Sequence, residues 1–346
     1  MLPVEGGLSV RANDIALLPR GQVPLTRLGM GCAPIGGLYR ATSEDAARAA
    51  IDAAWDLGLR YFDTAPYYGF TLSEHRLGAA LRDRARGDYV VSTKVGRVMK
   101  PDAGVRRGEC GWAEPLPFRP HYDYTYDGIL RSHEDSLQRL GMDHVDILFV
   151  HDIGGVTHGE RQGHYWRQLT RGGGFRALRE LRDEGRVRAI GLGVNEWEAV
   201  YAAMQECELD CSLLAGRYTL LEQAALAPLL EACERHGNAI VIGGPFNSGV
   251  LVGNGKFNYA DAPAAVLERV SAIAATCREF DVPLPAAALQ FPMAHPAVVS
   301  CIPGARDVAE LRQNAAWFEH PIPPALWHAL KRNGLLDERA PVDAGK

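Results

Sequence analysis

Tyr61-Phe62-Asp63-Thr64-Ala65-Pro66-Tyr67-Tyr68-Gly69 is the stretch on which the reading of this chain turns. Its first three residues form a short apolar strand ending on an acid, and Pro66 and Gly69 turn the chain at once. A second apolar run, Tyr89-Val90-Val91-Ser92-Thr93-Lys94, ends on a lysine. A third, Val145-Asp146-Ile147-Leu148-Phe149-Val150, runs directly into His151. Acid, phenol, amine and imidazole therefore stand at or just after the C-terminal ends of three strands. In a parallel barrel those ends converge on one face, where barrel active sites sit.

Working outward, the same kind of run recurs along the chain. Leu28–Cys32 precedes the three above, and Val187–Val194, Cys211–Ala215, Ala239–Gly243 and Val298–Ile302 follow them. Continuous apolar runs are what strands buried on both faces look like. Amphipathic helices alternate with them: one capped by Thr42 or Ser43 and running to Leu57, one from Ser73 to Arg84, and others over about 125–140, 174–184, 196–206, 222–236, 263–280 and 307–318. Strand–helix alternation repeated eight times without a polar linker predicts a single (β/α)8 TIM barrel over residues 1–346, its core at about 25–320. The leading segment, with its apolar Ile15-Ala16-Leu17-Leu18, is expected to plug the barrel's bottom. Two connections, 95–124 and 152–172, exceed ordinary loop lengths and are expected to shape a binding site, carrying Trp112, Phe118, His121 and Tyr122, then His158, His164, Tyr165 and Trp166.

Composition narrows the function classes. A net charge of -5 gives no electrostatic footprint for nucleic acid or an anionic membrane. No apolar stretch is long enough to span a bilayer, and Met1-Leu2-Pro3-Val4-Glu5-Gly6-Gly7 lacks the basic and apolar regions of a leader. The seven cysteines show no C-x-x-C spacing, and Cys32, Cys211 and Cys301 read as small buried hydrophobes. A reducing cytoplasm is the expected setting. No metal pattern, P-loop, G-x-S-x-G elbow or complete G-x-G-x-x-G fingerprint occurs; Gly29-Met30-Gly31-Cys32-Ala33-Pro34 has proline where the third glycine belongs.

An acid–lysine–tyrosine–histidine cluster suits the movement of one proton while hydride moves to or from a cofactor, since no side chain supplies hydride. Asp63 would hold the ammonium of Lys94, Lys94 would lower the pKa of Tyr68, and His151 would orient the substrate oxygen.

Phe62–Gly69, with Ser73-Glu74-His75-Arg76-Leu77-Gly78, Ser92-Thr93-Lys94, Val150-His151-Asp152, Gly193-Val194-Asn195 and Ile302-Pro303-Gly304-Ala305, resembles the signature of the aldo-keto reductases from about Leu25 to Trp317. The resemblance implies the barrel, an extended nicotinamide dinucleotide at its C-terminal face, and the catalytic tetrad Asp63, Tyr68, Lys94 and His151. It implies Asn195 as the hydrogen-bond partner of the nicotinamide carboxamide. Val194 and Ala215 stand where the family has serine and glutamine, and Gly243 where it often has the aromatic beneath the ring, leaving Phe246 as a candidate stacking partner. Amides around Phe246, Asn247 and Gly249 could cradle the pyrophosphate.

At the adenosine end, phosphate-specific members carry a lysine and serine, then an arginine, ahead of the asparagine matching Asn314. This chain has Gly304, Ala305 and Glu310 there. The exchange of cations for a carboxylate favours NAD, with Glu310 accepting ribose hydroxyls, while Arg306 leaves NADP open. Gly243-Gly244-Pro245-Phe246-Asn247-Ser248-Gly249 resembles a subgroup of sugar 1-dehydrogenases. The expected activity is oxidation of the hemiacetal hydroxyl of an L-fucose, L-galactose or D-arabinose type of aldose to its lactone. Pyridoxal 4-dehydrogenase, a general aldehyde reductase and a non-catalytic nucleotide sensor are the alternatives.

Overall fold

The structure, a computed structural model, describes residues 10–342; the stretch Met1–Gly7 read above for a leader lies outside them. Eight parallel strands form one sheet in chain order: Met30–Gly31, Tyr61–Asp63, Val90–Val95, Ile147–His151, Ala189–Val194, Cys211–Ala215, Ala239–Gly243 and Val298–Ile302. They are called here the first to eighth barrel strands. Parallel bridges between Leu28 and Cys301 and between Gly31 and Gly304 join the eighth strand back to the first, closing the barrel. All of the second to fifth strands and the seventh and eighth are buried along their whole length, which is why their sequences do not alternate.

The helices follow local signals. Ser43 Oγ accepts the N–H of Ala46 and caps Glu44–Asp56, whose first turn carries Glu44 and Asp45 against its positive end. Thr125 caps Tyr126–Leu140 in the same way, and Gly141 ends it in the left-handed region. The helix expected over 222–236 is shorter, Leu229–His236, with only a 3-10 turn at Ala224–Leu226. Pro228 explains the break, since it has no N–H to donate and drives Ala227 to extended dihedrals. Leu284–Gln290 and Pro324–Arg332 are helices the sequence reading did not place. Among the described residues, no helix is long and apolar enough to cross a membrane.

A hairpin of Ile15–Leu17 and Pro24–Thr26 closes the N-terminal mouth. Of the expected plug, Leu18 is fully buried and Ala16 packs partly against the same interior, joined by Val23 and Leu25; Ile15 and Leu17 face solvent because a strand sends alternate side chains to opposite faces. Leu18, Val23 and Leu25 pack with Tyr61, Val90, Ile147, Phe149, Ala189, Cys211 and Ala239 in the barrel interior. Leu25 is wholly buried there, so Leu25→Ala is expected to destabilise the fold by about 2–5 kcal/mol. Urea unfolding followed by tryptophan fluorescence measures this.

Both long connections leave the C-terminal face, and both are structured. The first contains a hairpin, Arg97–Pro101 with Phe118–Tyr122. The second contains the helices Gly155–His158 and Gln162–Thr170. They are fastened to each other: His158 lies 4.6 Å from the Tyr122 ring and 4.2 Å from Tyr165, and its Nε2 is 3.0 Å from the Tyr124 hydroxyl. Tyr124 in turn donates to the carbonyl of His151 at 2.7 Å. The lids are thus anchored on the end of the fourth strand.

Candidate active site

Asp63 ends the second strand, Lys94 lies one residue from the end of the third, and His151 ends the fourth. Tyr68 sits in the turn that follows the second strand. That turn is held by Tyr68 N–H to Ala65 O and Thr71 N–H to Pro66 O, and it presses against Gly36. Gly69 has φ +63°, and a Cβ there would lie 2.3 Å from the Gly36 carbonyl, so glycine is required.

The four side chains named from the sequence come together. Lys94 Nζ donates to Asp63 Oδ2 at 2.7 Å and to Thr64 O at 2.8 Å. Asp63 Oδ1 accepts Ser92 Oγ at 2.7 Å, and Ser92 lies 3.0 Å from the Tyr61 hydroxyl. The ammonium also stands 4.6 Å from the centroid of the Tyr68 ring, and that ring meets His151 edge-on at 6.0 Å. Asp63 and Lys94 are each 2% or less exposed. An ion pair buried this deeply carries a large desolvation cost and serves only with its remaining hydrogen bonds made, as they are here.

The electrostatics correct one expectation. Burial, then the nearby carboxylates Asp63 and Asp152, hold the Tyr68 phenol well above its ordinary value rather than below it. The reason is local neutrality: the Lys94 charge is already spent on Asp63, so little of its field is left for the phenol. Burial, with Arg97 and Lys94, keeps the His151 imidazole well below its ordinary value and hence neutral. Asp63 is raised by burial against the opposing pull of Lys94.

Two adjoining cavities open here. One is bounded by Tyr39, Tyr67, Tyr68, Trp112, Tyr122 and Tyr259, with Lys94, Arg97, His151, Asp152 and Arg217 among its polar groups. The other is a groove along the ends of the sixth to eighth strands, where Gly216, Gly243 and Gly244, then Phe246, Asn247, Gly249, Gly304 and Arg306, line it beside Tyr68 and Asn195. The groove fits a dinucleotide. A Cβ on Gly244 would meet nothing nearer than Gly216 N at 3.6 Å, and two buried polar atoms on its lining, Asn247 Oδ1 and Arg306 Nη1, have no partner in the protein.

Asn314 and Glu310, expected at the adenosine end, hold residues of the groove lining rather than forming it themselves, and Phe246 and Asn195 on the lining are engaged by protein partners. Asn314 donates to the Gly304 carbonyl at 3.2 Å and braces the turn after the eighth strand. Glu310 accepts Arg306 Nε at 2.8 Å and the Arg306 N–H at 3.0 Å. Phe246 lies edge-on to Trp317 at 6.0 Å, so its ring is engaged with the neighbouring helix Val308–Phe318. Asn195 donates to Asp152 Oδ1 at 3.2 Å and accepts the Tyr259 hydroxyl at 3.2 Å. The sequence reading passed over Ser92, Arg97, Asp152, Arg217 and Tyr259. Ser92 and Asp152 sat inside quoted motifs, whereas Tyr259 lies on a loop beyond the seventh strand that carries no signal of its own.

The fold and this site define a barrel oxidoreductase that works with a nicotinamide cofactor. The chain belongs to the aldo/keto reductase family, whose pattern matches residues 27–333. A pyridoxal 4-dehydrogenase of Microbacterium luteolum is 46% identical over 95% of this chain and 100% of that protein. A D-threo-aldose 1-dehydrogenase of a Pseudomonas species is 42% identical over 89% of this chain and 94% of its own length. An L-galactose dehydrogenase of Arabidopsis thaliana is 28% identical over 88% and 87%. An aldo-keto reductase from Bacillus halodurans in its holo form superposes with TM-score 0.70, covering 94% of this chain and 96% of that one at 24% identity, a likeness of fold.

Proposed function

We propose that the protein oxidises the hemiacetal hydroxyl of an aldose of the L-fucose, L-galactose or D-arabinose type to the lactone, in the cytoplasm, with NAD as cofactor. The observation that carries this reading is the buried Asp63–Lys94 pair beneath Tyr68, with His151 edge-on to it, in a cavity walled by aromatic rings that adjoins a glycine-lined groove. A nicotinamide dinucleotide held in the groove would supply the hydride acceptor, since no side chain can. The side chains handle the rest. In the oxidising direction Tyr68 acts in its ionised form, its phenolate oxygen taking the hydroxyl proton as the carbonyl forms, and the Lys94 ammonium, oriented by Asp63, lies against the ring. Neutral His151 donates to the reacting oxygen.

Asn195 would hold the carboxamide, the segment Phe246–Gly249 the pyrophosphate, and Gly304 and Arg306 the adenosine end. Glu310 supports NAD over NADP: its carboxylate is paired with Arg306 and lies 3.8 Å from Arg40, so a 2′-phosphate would meet an anion and a cation already engaged. Pyranose faces stack on rings while hydroxyls need polar partners, and the four tyrosines Tyr39, Tyr67, Tyr122 and Tyr259 offer both. All seven cysteines are free and six are buried, in keeping with a reducing compartment.

The 46% identity to the pyridoxal enzyme favours a second reading, pyridoxal oxidation by the same steps. Initial rates with NAD and NADP against L-fucose, L-galactose, D-arabinose and pyridoxal test both. NAD reduction with an aldose is the expected result. Turnover with pyridoxal alone replaces the substrate, and a preference for NADP overturns the reading of Glu310.

A further inference from the structure

Asp152 has no role in the steps above, yet it stands where the two subsites meet. It follows the fourth strand with φ +42°, in the left-handed region that aspartate tolerates better than most side chains. Its N–H donates to Gly193 O on the fifth strand, which pins the backbone. One carboxylate oxygen, Oδ1, accepts the side-chain amide of Asn195 at 3.2 Å. The other, Oδ2, accepts Arg97 Nη2 at 2.5 Å and lies 3.5 Å from Nε2 of His151. Arg97 is itself buried and clamped, its guanidinium 4.1 Å from the Tyr67 ring centroid and 5.5 Å from that of Tyr122. The carboxylate is therefore fixed in place and touches, with its two oxygens, both the imidazole and the cofactor-facing asparagine.

A neutral imidazole carries one hydrogen, and its two nitrogens compete for it. Nδ1 of His151 is buried with no partner in the protein, so nothing there selects the tautomer. At Nε2 the anionic oxygen of Asp152 favours an N–H and repels a lone pair. The distinction decides function, because a carbonyl oxygen only accepts hydrogen bonds. With the hydrogen on Nε2 the ring donates to a lactone or aldehyde oxygen; with the hydrogen on Nδ1 two lone pairs would face each other.

We propose that Asp152 is a positioning residue that fixes the Nε2–H tautomer of His151 and, through Asn195, ties that imidazole to the nicotinamide subsite. The proposal rests on the places given above to His151 and Asn195, and not on which ring substrate is turned over. Burial raises the Asp152 carboxyl, and Arg97, with Lys94, opposes that shift while holding the group in register, which accounts for a guanidinium buried in a substrate cavity.

The test is Asp152→Asn, with Arg97→Lys as the second variant, folding being checked by circular dichroism and melting temperature. Nitrogen-15 shifts of the His151 ring, in protein labelled only at histidine and assigned with His151→Gln, report the tautomer without turnover. The wild type is expected to show hydrogen on Nε2, and Asp152→Asn a shift towards the Nδ1–H form. NADH affinity should weaken severalfold through Asn195, and kcat should fall by about tenfold or more, in line with partners that orient a working imidazole. Arg97→Lys, which loosens the carboxylate but keeps a cation, should move the same readings by less; if Asp152→Asn does not fold, that variant alone decides. Unchanged ring shifts with kcat and NADH affinity within twofold would overturn the proposal. Failure of every substrate in the panel leaves the shifts and NADH titration readable, so it bears on the substrate reading alone.

Discussion

Tyr68→Phe is expected to lower kcat for hemiacetal oxidation by about 10³-fold, while NADH affinity stays within about twofold. The ring is kept, so its edge-on contact with His151 and the 4.6 Å approach of the Lys94 ammonium survive. Only the oxygen that takes the proton is lost, and general acid–base groups are worth about 10²–10⁴ in rate. A 10³-fold loss is about 4 kcal/mol of barrier. The pH dependence sharpens the test. Burial holds the phenol well above its ordinary value, so at neutral pH it keeps its proton. It is then ready to donate during carbonyl reduction and poorly placed to accept during oxidation. Oxidation should therefore accelerate with rising pH, a rise absent in Tyr68→Phe, and reduction should be nearly flat across neutrality. Initial rates in each direction from pH 6 to 10 measure this; an unchanged kcat in the variant would remove Tyr68 from the reaction.

What the sequence made legible follows from where its signals come from. The barrel strands stood out because both of their faces are covered, which forces continuous apolar runs such as Val90–Val95. Asp63, Lys94 and His151 stood out because a charged or polar residue at the end of such a run has no packing reason to be there. The cap of the first helix was legible as Thr42 or Ser43, and the structure gives it to Ser43, whose hydroxyl accepts the Ala46 N–H three residues ahead. The cavity walls were legible only in part. Trp112 and Tyr122 stood out on an overlong connection, whereas Tyr39 and Tyr259 lie on two other connections, and only the closure of the barrel brings them to the same cavity. Arg97 and Asp152 are 55 residues apart, and either alone reads as an exposed loop charge. Glu310 was singled out at the adenosine end, but its partner was not foreseen. It is set by one helical turn, from Arg306 to Glu310, and by the cap at Asp307 whose side chain accepts the Glu310 N–H. The direction of the Tyr68 shift was missed for a similar reason: pairing between Lys94 and Asp63 cancels a field that the sequence counted as free.

Lys94→Met is expected to destabilise the fold by about 3–5 kcal/mol and to abolish turnover, the first because it strands a buried carboxylate. Asp63 would keep the Ser92 hydroxyl as a donor but lose both influences by which Lys94 lowers its pKa. Its folded-state pKa, already raised by burial, would rise further. The sign of the linkage then follows. A carboxyl whose pKa is higher folded than unfolded binds its proton more tightly in the folded state, so its stability contribution is full below the unfolded value, near 4. That contribution is lost as pH rises through the folded value. Lys94→Met should thus be closest to wild type in stability at acid pH and fall away from it towards neutrality. Adding Asp63→Asn removes the stranded charge, and the double variant should recover most of the lost stability at pH 7 with no recovery of turnover. Urea unfolding of the wild type, both single variants and the double variant at pH 5 and pH 7 closes that cycle. Additive losses, with no recovery in the double variant, would mean that Lys94 and Asp63 are not held as a pair. Recovered turnover in the double variant would mean that the pair is structural and that Tyr68 works without it.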